Sequence, residues 1–413
     1  MEELDIPCYF LCPISLDLMR DPVIISTGIT FDRDNIERWI FSGKRKTCPV
    51  TNQALQDLDL TPNHTLRRLI QAWCTANTSK GVERFPTPRQ PISKAELSHL
   101  LVCINSTVPD DRLASLLKLK SIVLTSERNK QFVEASGAVD ILVSIIKEKY
   151  NMSIDDEEEE EECSVSACDE ALCILCSLQL SDETLVDIIS RNTDFVEALT
   201  MMLHRSNYQT RAYASLLLRF IVSVIPPVRL VGLKEELFEG VVRVIKDKVS
   251  YQASKAGLRI LAWICPWGRN RMMAVEAGAV TTLIELLLDE PEKIICELIL
   301  LVLDLMCGCA EGRSEMMKHA AGIAVVSRMM LRVSSVATER SVRIVYSLIK
   351  FSATPAILNE MLAVGTVSKL CFVLQIDCGV KIKEKVKEIL RLHSMAWKHS
   401  PCLSPQLQSS YPS

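Results

Sequence analysis

The chain has no basic, apolar leader, no apolar run of membrane-spanning length, few aromatic residues and no surplus of positive charge. Each absence removes a class of protein. The opening Met1-Glu2-Glu3-Leu4-Asp5 is acidic where a secretory signal carries a basic segment followed by an apolar one. The longest apolar stretch, Ile294 to Met306, is broken by Glu297 and Asp304, and it falls short of the roughly 20 residues that cross a bilayer. No membrane span is expected, and the chain is expected in the cytoplasm, with the nucleus as the alternative. Its 16 cysteines are then free thiols, most of them small core residues. Aromatics make up only 5% of the chain, so Leu, Val, Ile, Ala and Met carry the 48% that is apolar. That balance suits packed helices better than a sandwich of sheets. A net charge of -4 without a basic stretch argues against a nucleic-acid partner.

What is present is a repeat. Val139-x-x-Leu142, Val280-x-x-Leu283 and Val367-x-x-Leu370 each follow a short turn with a central glycine. Those turns are Ser136-Gly137-Ala138, Ala277-Gly278-Ala279 and Val364-Gly365-Thr366. Weaker copies start at Leu97, Val196, Phe238 and Ile323. The steps between successive starts are 42, 57, 42, 42, 43 and 44. The long step contains the run Asp155 to Glu162, whose eight carboxylates repel one another and cannot pack. Residues 151–162 therefore read as an acidic insertion within one repeat.

A period of about 42 with only helical patterning belongs to armadillo or HEAT arrays. Each unit reads as a short helix, a glycine turn, a second helix and a longer third helix. One unit runs Asn129 to Ala135, Val139 to Lys147 and, beyond the insertion, Ala167 to Leu178. The glycine suits a left-handed residue closing the first helix. The stretch Val275-Glu276-Ala277-Gly278-Ala279-Val280 resembles the armadillo consensus, so the expected array over 94–398 is an armadillo α-solenoid. A Pro-rich linker over 80–93 precedes it, and a Ser-, Pro- and Gln-rich tail over 399–413 reads as disordered.

The N-terminal segment, 5–79, has a different texture. Two loops, around Cys12-Pro13-Ile14 and Cys48-Pro49-Val50, flank a hairpin and a helix. The hairpin turns at Ser26-Thr27-Gly28. Asp32 is expected as the helix N-cap, with Ile36, Trp39 and Ile40 on one face and Gly43 as the stop. A last helix begins near Asn63 with a stripe of Leu66, Leu69, Ile70 and Trp73. Two loops arranged in this way suggest a cross-brace of the RING type. A RING requires eight zinc ligands. Cys8, Cys12, Cys48, Cys74 and His64 are too few, so no metal and no other cofactor is expected.

Taken together, Cys12-Pro13-Ile14-Ser15, Met19-x-Asp21-Pro22-Val23, Gly28-x-Thr30-Phe31-Asp32, Ile36-x-x-Trp39, Cys48-Pro49-Val50-Thr51 and Leu60-Thr61-Pro62-Asn63 resemble the U-box family in order and spacing. The whole chain resembles the plant U-box–armadillo ubiquitin ligases. The implied fold is mainly α: a small α+β, zinc-free RING-like U-box followed by the α-solenoid. The implied partners are a ubiquitin-conjugating enzyme, ubiquitin and a protein substrate on the armadillo groove, with a U-box homodimer as a further expectation. The resemblance places the conjugating enzyme on Ile14, Leu16, Trp39 and Pro49, and implies no nucleophile and no covalent ubiquitin intermediate. Where some family members carry an arginine that clamps ubiquitin, this chain has Asn52, with Arg45 as a candidate helper. The resemblance also points towards plant stress or immune signalling. The alternative is a scaffold whose U-box only docks or dimerises.

Two sharper readings compete with plain packing. Cys12 as a transfer nucleophile lacks a base beside it in the sequence. Cys173-x-x-Cys176, with Cys163 and Cys168 upstream, has zinc-like spacing. One straight helix rarely supplies so many tetrahedral ligands, so core thiols are expected.

Overall fold

A computed structural model describes residues 6–43, 45–78, 92–106, 108–155, 166–289 and 291–398, and positions 400, 403, 406 and 411. The chain forms two units, Met1–Ile145 with Ser164–Leu180, and Ile146–Cys163 with Ser181–Ser413.

The first unit opens with the hairpin. Strand β1 (Pro22–Ile24) pairs antiparallel with β2 (Thr30–Asp32), placing Val23 opposite Phe31. Gly28 makes the turn at φ +81°, a left-handed conformation that costs a glycine nothing. Helix α1 (Arg33–Glu37) continues into a π-turn, Arg38–Ser42. Strand β3 (Thr61–Pro62) adds to the free edge of β1, giving the order β2-β1-β3. Helix α2 (His64–Ala76) starts where the Asn63 side chain accepts the Leu66 N–H at 3.1 Å.

Three local expectations change. Asp32 stands at the N-cap position of α1 but caps nothing there. Its Oδ1 instead accepts the N–H groups of Arg20 and Asp21, both at 2.8 Å, because the preceding loop offers two orphan donors closer than the helix does. Gly43 does stop the helix, yet its φ is -77°, not left-handed. Here the reason for glycine is proximity, since a Cβ would lie 2.6 Å from the Trp39 carbonyl oxygen. Leu69 is about half exposed and falls off the buried stripe of α2.

The repeat follows in triplets. It begins with α3 (Lys94–Ile104) and α4 (Pro109–Val123), then α5 (Glu127–Ala135), α6 (Ala138–Asp155) and α7 (Ala167–Leu178). Next come α8 (Asp182–Arg191), α9 (Phe195–Leu203) and α10 (Tyr208–Val224), then α11 (Pro227–Leu230), α12 (Glu235–Lys246) and α13 (Tyr251–Ile264). Then α14 (Gly268–Glu276), α15 (Ala279–Leu288), α16 (Lys293–Met306), α17 (Ala310–Lys318), α18 (Gly322–Met329) and α19 (Ser335–Ser352). Finally α20 (Pro355–Ala363), α21 (Thr366–Gln375) and α22 (Val380–Leu392) lead to a short α23 (Ser394–Trp397). Six of the seven starts read from the sequence fall inside second helices, and Leu97 lies in α3, which opens an incomplete first unit.

The turn glycines behave as the pattern requires. Gly137, Gly278 and Gly365 have φ of +82°, +79° and +74°. Within the second unit, successive third helices pack side by side: α10 on α13, α13 on α16, α16 on α19 and α19 on α22. Leu261, Ile299 and Leu303 in these helices are fully buried, and each contributes about 1.5–3 kcal/mol through removal from water. Among the described residues no single helix is long and apolar enough to cross a membrane.

Residues 151–155 continue α6 as helix, and the rest of the acidic run lies outside the described residues. The expected linker, 80–93, likewise lies outside them except at its last two positions, of which Ser93 forms a capping box with Glu96. Much of the tail is also outside, but Leu403 and Tyr411 are buried, and the Tyr411 hydroxyl donates to the Leu390 carbonyl at 2.6 Å. At those two positions the expected disorder is not what the structure shows.

Candidate functional site

The two N-terminal loops are copies of one another in hydrogen bonding. In the first, Leu16 N–H donates to Cys12 O at 2.8 Å and Cys12 N–H to Asp17 O at 2.8 Å. In the second, Asn52 N–H donates to Cys48 O at 2.9 Å and Cys48 N–H to Gln53 O at 2.8 Å. A single antiparallel bridge closes each, Leu11 with Leu18 and Thr47 with Ala54. The left-handed residues also correspond, Leu16 at φ +61° and Asn52 at φ +58°. Asparagine tolerates that conformation, whereas leucine is strained in it. The two loops, around Cys12-Pro13 and Cys48-Pro49, therefore match down to the backbone.

Hydrogen bonds and ion pairs brace the loops. Arg33 Nε donates to Asp21 Oδ2 at 2.6 Å, and Arg67 reaches Asp21 Oδ1 at 3.4 Å. Burial pushes the Asp32 carboxyl above its ordinary value, against the opposing pull of the Asp21 and Arg20 amides. The Cys12 sulfur accepts from Asp32 N–H at 3.3 Å and from the Asn35 amide at 3.5 Å. Cys12 and Cys48 are both fully buried, so Cys12 packs as a structural residue. Among the described residues no three His, Cys, Asp or Glu side chains converge on a common point.

The residues expected to meet a conjugating enzyme sit on this frame. Ile14 and Trp39 are half-buried and pack on the same core. The Trp39 indole N–H donates to the Thr47 carbonyl at 2.8 Å, tying the π-turn to the second loop. Leu16 is 72% exposed, and Pro49 is half-buried at the tip of its loop beside exposed Val50. The Arg45 guanidinium lies 4.2 Å above the Trp39 ring.

One residue carries more than its sequence context suggests. Glu37 is 1% exposed and leaves the N-terminal fold to meet the repeat. Its Oε2 accepts the Ser126 hydroxyl at 2.8 Å, while Ser126 itself caps α5 by accepting the Asn129 N–H. A carboxylate at a helix N-terminus is favoured by the helix dipole. Arg128 adds a pair with Asp59 at 3.7 Å. Nothing in the pattern Ile36-Glu37 marks the glutamate as buried; its partner lies 89 residues away.

Farther along, Cys265, Cys296, Cys307 and Cys371 of the repeat are buried. Cys168 and Cys173 are buried core residues, and Cys163 lies outside the described residues. Burial pushes the Cys265 thiol up to about 12 and raises that of Cys307 as well.

Comparison with known proteins joins the two halves. Residues 6–79 match the family described as the U-box domain, and residues 96–413 match the plant U-box protein ARM repeat region. The chain is 48% identical to the E3 ubiquitin-protein ligase PUB23 of Arabidopsis thaliana, over 100% of this chain and 98% of that protein. It is 45% identical to the E3 ubiquitin-protein ligase PUB22 of the same plant, over 100% and 99%. Among solved structures, one of a cadherin–beta-catenin study aligns with a TM-score of 0.59 at 13% identity, covering 86% of this chain and 61% of that one. That likeness is one of fold, and it agrees with the three-helix repeat. With paired loops at its start and glycine-turned helical triplets after them, the chain belongs to the plant U-box proteins with an armadillo-repeat region.

Proposed function

We infer that this chain is an E3 ubiquitin-protein ligase whose U-box recruits a ubiquitin-charged conjugating enzyme and whose armadillo repeats bind the protein substrate. The observation that carries this reading is the end-to-end likeness to two ligases, which spans the U-box and the repeats together. The conjugating enzyme docks on Ile14, Leu16, Trp39 and Pro49. In support, Leu16 stands exposed on one loop, Pro49 tips the other, and Trp39 ties the π-turn to the second loop. An exposed apolar patch of this kind marks an interface.

The U-box supplies no nucleophile. It holds the thioester-linked ubiquitin in a reactive orientation, which lowers the entropic part of the barrier. Asn52 takes the position of the ubiquitin clamp and contributes hydrogen bonds without charge. Arg45 is engaged with the Trp39 ring, so it buttresses the docking surface. The cytoplasm or the nucleus is the proposed place of action.

The test is chain assembly by the full-length protein with an activating enzyme, a conjugating enzyme and ubiquitin. The parent builds chains, and Ile14→Ala lowers the rate at least about tenfold, as loss of one interface side chain predicts. Unchanged transfer by Ile14→Ala rejects the docking site. No transfer by the parent with any conjugating enzyme favours the scaffold reading.

A further inference from the structure

The third helices of the second unit differ in how they settle their charges. On α16, Asp304 takes two arginines of α19, Arg340 at 3.0 Å and Arg343 at 2.8 Å. On α22, Glu388 takes Lys350 at 3.2 Å and the Tyr346 hydroxyl at 2.8 Å. These helices neutralise themselves. The pair α10 and α13 does not. Among the described residues no carboxylate lies within ion-pair distance of Arg219, Lys255 or Arg259.

The cations on that pair are arranged in a pattern. Tyr251, Lys255, Arg259 and Trp263 stand four residues apart, which places them in one stripe along α13. The Lys255 ammonium is 5.6 Å from the Tyr251 ring centroid. Tyr251 and Trp263 are 44% and 53% exposed. Across on α10, the Arg219 guanidinium stacks on the Phe220 ring at 4.0 Å. Burial and the facing charge of Arg259 both depress Arg219 from its ordinary value. Two like charges set against each other without a counter-ion are a standing cost, and an anion between them would relieve it. A guanidinium over an aromatic ring can still offer N–H groups to a carboxylate.

We propose that the stripe formed by Arg219 and Phe220 on α10 with Lys255, Arg259 and Trp263 on α13 docks an acidic segment of a protein substrate. Its carboxylates meet Arg219 and Arg259, and an adjoining apolar side chain covers Trp263. Charge complementarity selects this occupant, and exposed aromatics beside arginine are the composition of interface hot spots. The proposal rests on the reading that the repeats bind substrate, and it names the class of segment they accept.

The experiment uses the full-length protein and a short labelled peptide alternating Glu and Leu, followed by fluorescence anisotropy. The peptide binds, and its Kd rises with added salt. The double variant Arg219→Glu, Arg259→Glu weakens binding at least about tenfold, while Lys381→Glu, a single charge reversal at an exposed position of α22, leaves it unchanged. Circular dichroism melts confirm that both variants fold; if the double variant does not, Trp263→Ala replaces it and must also weaken binding. Equal binding of a Lys–Leu peptide overturns the proposal, as does equal loss in Lys381→Glu. Tighter binding after replacement of Glu157 to Glu162 by serines also overturns it, because the chain's own acidic run would then be the occupant. Chain assembly measured in parallel tests the ligase reading separately: peptide capture without ubiquitin transfer rejects that reading and leaves this one standing.

Discussion

In the U-box, a small apolar core around Met19, Val23, Phe31 and Ile36 is supplemented by Asp21, Asp32, Arg33 and Arg67, whose carboxylates and guanidiniums brace the short elements. In the armadillo array the core is built mainly from long apolar stripes, with Leu261, Ile299 and Leu303 fully buried. The difference follows from element length. A five-residue helix such as α1 and three-residue strands cannot bury a continuous apolar stripe. A helix of 14 residues such as α13 can, and it repeats the arrangement with each neighbour. Polar bracing is directional, so it fixes loop geometry to within a hydrogen bond. That suits the half that must orient a thioester. Apolar stacking tolerates drift and extends a surface, and that suits the half that must meet a substrate.

The largest expected effects test that division directly. Asp21→Ala leaves Arg33, which is almost completely buried, without its main partner. Removing one member of a buried pair costs about 3–5 kcal/mol. Chain assembly should be lost, and limited proteolysis should cleave within residues 6–78 while the second unit stays resistant. Leu261→Ala should do the reverse. Its cavity costs about 2–5 kcal/mol, the second unit should melt earlier, and the U-box should still discharge ubiquitin from a conjugating enzyme. If Asp21→Ala melts both units equally, the halves do not stand on separate chemistry.

A smaller effect separates stability from function within one residue. Leu16 is strained at φ +61° and mostly exposed. Leu16→Gly removes a strain of about 1–2 kcal/mol and forfeits little burial. The U-box should therefore melt at a higher temperature while chain assembly falls, because the apolar contact to the conjugating enzyme goes with the side chain. A variant that is both more stable and fully active would remove Leu16 from the docking surface. Asn52→Gly, at the matching position of the other loop, should change stability less, since asparagine already tolerates the conformation.

The array was legible in the sequence because its period and its turn glycines are local features. Gly137, Gly278 and Gly365 announced both the turn and its handedness. The mirrored loops were legible for the same reason, through Cys12-Pro13 and Cys48-Pro49. The true role of Asp32 was not, because the donors it serves, Arg20 and Asp21, compete with the helix only once the hairpin has folded. Glu37 was hidden by sequence distance, and the unneutralised arginines of α10 and α13 by the need to know which helices are neighbours. Long-range polar pairing leaves no period to read.

The smallest effect concerns Glu37, where the two chemistries meet. Burial raises its carboxyl above the ordinary glutamate value, against the opposing hydrogen bond from Ser126 and the charge of Arg33. A folded-state value above the unfolded one, about 4.3, means that the folded protein holds the proton more tightly. The stability this group contributes is fully present below the unfolded value and is lost as pH rises through the folded one. The first unit should therefore lose stability from this group on going from mildly acid to neutral pH. Glu37→Gln keeps an oxygen for the Ser126 hydroxyl and removes the charge that burial penalises. Its difference in stability from the parent should grow in its favour over that interval and vanish below it. Paired melts of parent and variant across the range decide the matter. A constant difference would mean that Glu37 is ionised in both states with equal ease, and that its contact with Ser126 and the α5 N-terminus fully replaces water.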